Sequence, residues 1–127
     1  MKRLFVKVLV VFALLVLSVP SYAFTPKVHS EFSAVKTADA VILAASGYLY
    51  KIIVHTDATN AVTMTLYDNA TTNSGTKFFG DWIVTTSASD RTQVLTFAPP
   101  LPADNGIYAD ITLGAGAMSY VVYYRTK

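Results

Sequence analysis

The chain has 127 residues, 53% hydrophobic and 14% charged, with no cysteine and a formal net charge of +2. That length holds one domain of ordinary size, with little room for a second core. Without cysteine there are no disulfides, thiol nucleophiles, thiolate metal sites or lipidated cysteine, and two histidines leave little for a metal centre.

Residues 1–23 read as a cleaved signal peptide. Lys2, Arg3 and Lys7 form a basic start, Val8 to Val19 is apolar, and Ser21 and Ala23 are small residues placed for cleavage before Phe24. The apolar stretch is shorter than the roughly 20 residues of a spanning helix, and Pro20 sits where that helix would continue. No membrane span is therefore expected after cleavage. Three of the ten basic residues leave with the leader, so seven remain against eight acidic ones, a formal net charge of −1. The remaining basic residues are scattered, and no nucleic-acid partner is expected. A small exported domain without cysteine suits a bacterial or phage-related origin better than an animal one.

Residues 24–39 read as an extended N-terminal arm. Its apolar residues Phe24, Val28, Phe32 and Val35 are too widely spaced for a strong strand of their own. On a lone domain they would face water, so they are candidates for an arm that reaches a neighbouring subunit.

Residues 40–127 show short runs of period-2 alternation separated by turn residues. This predicts an all-β fold, a single antiparallel β-sandwich or jelly roll of about seven strands, with no helix outside the leader. A short strand is expected at Ala40 to Ala44. From Tyr48 to Thr56 the even positions Tyr48, Tyr50, Ile52 and Val54 are expected in the core. From Val62 to Tyr67 the core face is Val62, Met64 and Leu66, with Thr63 and Thr65 facing solvent. These two runs, joined by Asp57 to Asn60, predict a hairpin with an odd loop, in which even positions pair with even ones, for example Val54 with Val62. Lys77 to Thr86 is expected as one strand, bent at Gly80, and Gln93 to Phe97 as another. Pro99 to Pro102 reads as a connection and Asp104-Asn105-Gly106 as a turn. Ile107 to Leu113 and Met118 to Tyr124 alternate again and complete the set.

No residue set reads as catalytic, cofactor-binding or metal-binding. His55 and Asp57 share a strand face and could orient an imidazole for base chemistry. No nucleophile-elbow serine or oxyanion loop accompanies them, and a polar strand face explains them more simply. Asp68 to Gly75 places oxygen-bearing residues at alternate positions, as calcium loops do, but lacks the bidentate glutamate. Turn formation accounts for the same residues, and the Asn69-Ala70-Thr71 sequon is common by chance. Tyr67, Tyr108 and Tyr123 fall on the phase opposite their strands' apolar residues, as does Val121. They are candidates for an interface or ligand face, where tyrosine packs against protein or stacks on sugar.

One further pattern runs from Gly47 to Lys127. It comprises Gly47-Tyr48-Leu49-Tyr50-Lys51-Ile52, then Leu66-Tyr67-Asp68-Asn69-Ala70 leading to Ser74-Gly75-Thr76. Leu95-Thr96-Phe97-Ala98-Pro99-Pro100-Leu101, Asn105-Gly106-Ile107-Tyr108 and Val121-Val122-Tyr123-Tyr124 complete it. In this order the segments resemble small phage-associated β-sandwich proteins. The resemblance implies a surface or decoration role and identifies no site; the signal peptide departs from it, because virion proteins assemble in the cytoplasm. Together these readings predict a secreted, non-enzymatic structural subunit without cofactor. It would assemble with copies of itself into a filament, layer or decoration in the extracellular space, at the cell surface or in the periplasm. The alternative is a carbohydrate- or surface-binding module whose partner is a surface glycan.

Overall fold

The computed structural model describes residues 30–57, 61–85, 90–113 and 117–127. The expected signal peptide lies outside the described residues, as do Phe24, Val28 and residues 58–60. The strands are β1 (Glu31–Phe32), β2 (Ala40–Leu43), β3 (Gly47–Thr56), β4 (Val62–Asp68), β5 (Thr76–Lys77), β6 (Trp82–Val84), β7 (Thr92–Ala103), β8 (Ile107–Leu113) and β9 (Met118–Thr126). They form two antiparallel sheets. One has four strands in the order β1-β9-β3-β7; the other has five, in the order β2-β8-β4-β5 with β6 also on β4. The all-β expectation holds, with nine strands among the described residues where about seven were expected, and no described residue is helical.

Alternation gives each sheet one apolar face, and these faces supply a single core. Leu49, Ile52, Val54, Tyr120 and Val122 come from the four-stranded sheet; Met64, Leu66, Val84, Ile107 and Ala109 come from the five-stranded one. Phe78, Phe79, Trp82, Leu95 and Phe97 pack around its edge. Burial of this apolar surface is the main stabilising term in a chain with no covalent staple.

Several local expectations need correction. The β3–β4 hairpin does not form, because β3 pairs with β9 and β7 while β4 pairs with β8, β6 and β5. Two amphipathic strands can share a core by lying side by side or by facing each other from opposite sheets. The parity of Val54 and Val62 fits both solutions, and the molecule adopts the second. The expected core face also fails at its start. A bulge between Leu49 and Lys51 changes the phase of β3, so Leu49 is buried while Tyr48 is exposed and Tyr50 half-buried.

Thr65 is buried, not solvent-facing, and its hydroxyl donates to Asp81 Oδ1 at 2.8 Å. The run from Lys77 to Thr86 is two separate short strands, β5 and β6, with Gly80 between them. The proline segment is not a connection: β7 continues through it, with a cis Ala98–Pro99 peptide. Prolines are tolerated there because β7 is an edge strand, so amides on its open side need no ladder partner. Opposite Tyr50 the β3–β7 register jumps from Leu49↔Leu101 to Lys51↔Thr96, which sets Phe97 to Pro100 outside regular pairing.

The described part of the arm lies on its own domain. Glu31 and Phe32 pair with Tyr124 and Tyr123. Ser33 exchanges hydrogen bonds with Val122: its amide donates to the Val122 carbonyl at 2.9 Å, and its Oγ accepts from the Val122 amide at 3.1 Å. Lys36 forms a bridge with Tyr120, and the buried Tyr120 hydroxyl donates to the Ala38 carbonyl at 2.8 Å. Residues 31–38 therefore cover the outer edge of β9. Burial pushes the Tyr120 phenol well above its ordinary range, so it remains a neutral donor.

Candidate functional site

The register of the four-stranded sheet assembles its outer face in rows. Phe32, Tyr123, Lys51 and Thr96 form one row across β1, β9, β3 and β7. Val121, Ile53 and Val94 form the next, and Ser119, His55 and Thr92 the one after it. Val35, directly before the bridged Lys36, continues the arm beside the Val121 row. Phe32, Val35 and Val94 are 68%, 67% and 55% exposed, an unusual state for neighbouring large apolar side chains. The Phe32 and Tyr123 ring centres are 6.0 Å apart, and Lys51 Nζ lies 4.5 Å from the Tyr123 ring centre. The result is an apolar band with a polar rim.

The sheets separate the four residues singled out from the sequence into two pairs. Val121 and Tyr123 belong to this band. Tyr67 and Tyr108 are cross-strand partners on the outer face of the other sheet. There Lys77 Nζ stands 5.7 Å from the Tyr67 ring centre and 2.6 Å from Asp81 Oδ1. Hydrogen bonds from Lys77 and Thr65 hold the Asp81 carboxyl below its usual value, and Asp81 raises Lys77 in turn. Of the arm candidates, Phe32 and Val35 join the band.

His55 and Asp57 line an open cleft of about 340 Å³ with Arg91, Met118 and Ser119. His55 Nδ1 lies 3.0 Å from Thr92 Oγ1, the place an orienting carboxylate would take in a catalytic pair. Asp57 Oδ2 accepts the Ala117 amide at 2.7 Å and so fixes the start of β9.

The Asp68–Gly75 loop spends its oxygens on itself and on a neighbouring turn. Asp68 Oδ1 accepts the amides of Asn105 at 2.7 Å and Gly106 at 3.2 Å. Asn69 Oδ1 accepts the amides of Thr71 and Thr72, an Asx turn. Gly106 has φ +145°, and a Cβ there would lie 2.5 Å from the Leu43 carbonyl oxygen. Asp68 thereby locks a turn that only glycine fits closely. Among the described residues no three His, Asp or Glu side chains cluster as a metal site would require.

Sequence reasoning placed Tyr48 and Tyr50 in the core, and the bulge instead sets them on an open surface. Tyr48, Leu49 and Tyr50 are all apolar and carry no phase signal, so only the register reveals this. It also missed Ile53 and Val94 in the band; their outward phase was readable, but not their adjacency. Compared with known protein families, curated proteins and solved structures, the chain matches none.

Proposed function

We propose that the protein is a non-enzymatic, exported structural subunit that assembles with copies of itself through the outer face of its four-stranded sheet. The observation that carries this reading is the band of Phe32, Val35, Val121, Ile53 and Val94, which brings five apolar side chains together at the surface. Such a band, rimmed by Lys51, Thr92 and Thr96, has the apolar centre and polar border of a protein interface. A second copy suits it because sheets pack face to face through flat apolar surfaces of this kind. The near-zero charge of the chain without its leader gives little repulsion between copies. The described part of the arm contributes through its side chains, since its backbone pairs with β9 at Glu31, Phe32, Ser33 and Lys36.

Multi-angle light scattering and negative-stain microscopy test this directly. The protein is expected to run as a multimer and to show filaments or sheets. Val94→Lys should shift the mass toward monomer while leaving the melting temperature nearly unchanged. A monomeric wild-type protein defeats the proposal, and so does a multimer that survives both Val94→Lys and Val121→Lys.

A further inference from the structure

The bulge in β3 creates a second surface, beyond the contact of Lys51 with Tyr123. Tyr48 and Tyr50 flank the buried Leu49, so both leave the core side of the strand. Opposite them β7 detours through Pro99 and Pro100, and these residues, with the end of β9, wall an open cleft of about 420 Å³. Its apolar surfaces are two phenol rings and two pyrrolidine rings. Its charged side chains are Lys127 and Arg125. Lys127 Nζ is 2.8 Å from Asp104 Oδ1 and 5.4 Å from the Tyr48 ring centre, so its charge is already met. Among the described residues no carboxylate pairs with Arg125.

We propose that this cleft binds a pyranose ring carrying a carboxylate, the unit of an acidic polysaccharide. Tyrosine ring faces suit the apolar C–H face of a sugar, and their hydroxyls reach its edge. The volume lies within the range of small-ligand sites. A guanidinium beside those rings selects a planar anion, because it can hold a carboxylate through two parallel hydrogen bonds. Neutral proline-rich peptides also favour aromatic grooves, but they leave the Arg125 charge unanswered. A nucleic acid needs a wider positive field than one unpaired arginine supplies. This inference stands apart from self-assembly, since it uses neither the apolar band nor a second copy.

The test is calorimetric titration with tetragalacturonate and with neutral cellotetraose, alongside NMR of the tyrosine ring carbons. Tetragalacturonate should bind with a dissociation constant of roughly 1 mM or below and shift the Tyr48 and Tyr50 signals. Cellotetraose should bind about tenfold more weakly, the scale of one charge-assisted hydrogen-bond pair. Arg125→Gln should abolish that preference, and Tyr48→Ala should weaken both sugars about tenfold while the far-UV spectrum stays unchanged. No binding of tetragalacturonate overturns the proposal. Equal binding of the two sugars, shifts confined to other tyrosines, or a preference that persists in Arg125→Gln overturns it too, as does tighter binding of a polyproline peptide.

Discussion

On the outer face of the five-stranded sheet, Thr65, Asp81, Lys77 and Tyr67 form a chain of polar contacts. On the outer face of the four-stranded sheet, the apolar side chains of Phe32, Val35, Ile53, Val94 and Val121 sit side by side. Both faces are built from strands that alternate equally well, so alternation alone does not decide which carries the polar contacts. The difference arises from where the chain goes after each strand. Beyond β4 it turns back at once and lays β5, Asp81 and β6 along that strand, supplying partners for Thr65 and Tyr67. Among the described residues no comparable segment returns over the middle of β9, β3 and β7, and the arm reaches only the edge of β9. Thr65 and Tyr67 thus meet polar partners within the chain, while Phe32, Val35 and Val94 stay largely exposed.

The comparison can be broken first at the core that both sheets share. Ile52→Ala in one sheet and Leu66→Ala in the other should each cost about 2–5 kcal/mol in chemical denaturation, because both side chains are fully buried. A much smaller cost on one side would mean that the two sheets do not close on one core. A smaller effect tests the polar contacts on the outer face of the five-stranded sheet. Thr65→Ala should cost about 1 kcal/mol through loss of its hydrogen bond to Asp81, whereas Thr63→Ala should stay within about 0.5 kcal/mol. Equal costs would remove the polar network from the account of that face.

The smallest effect concerns acid. Asp81 has a depressed folded-state value, so its contribution is complete above the ordinary carboxylate value of 3.8 and is lost as pH falls through the lower folded value. Comparison of wild type with Asp81→Asn should therefore show a difference that narrows below that pH. The pair is exposed, so the difference should also shrink in high salt. A gap that is constant from neutral pH to acid would assign Asp81 a packing role instead.

Much of this architecture was legible from period-2 patterning. Ile52, Val54, Val62, Met64, Leu66, Ile107 and Ala109 are all buried where their phase puts them. Partners were not legible, because parity fixes a face and leaves the neighbour open; Val54 and Val62 could pair or face each other. Tyr48-Leu49-Tyr50 gave no phase, so the bulge and the cleft it opens were hidden. Thr65 looks like any outward threonine until Asp81, sixteen residues later, arrives beside it. The apolar band needed the same kind of knowledge, since Val94 joins Ile53 and Val121 only through the order of the strands.

That strand order also governs when the fold can exist. Chain neighbours seldom pair here: β2 to β3, β3 to β4, β6 to β7, β7 to β8 and β8 to β9 each pass from one sheet to the other. The ladder contacts are consequently long in sequence, which makes for slow folding in small β proteins. β9 stands between β1 and β3, so both wait for the last strand in chain order before their sheet has a middle. A ribosome-bound chain that lacks Met118 to Thr126 cannot complete this sheet, however long it waits.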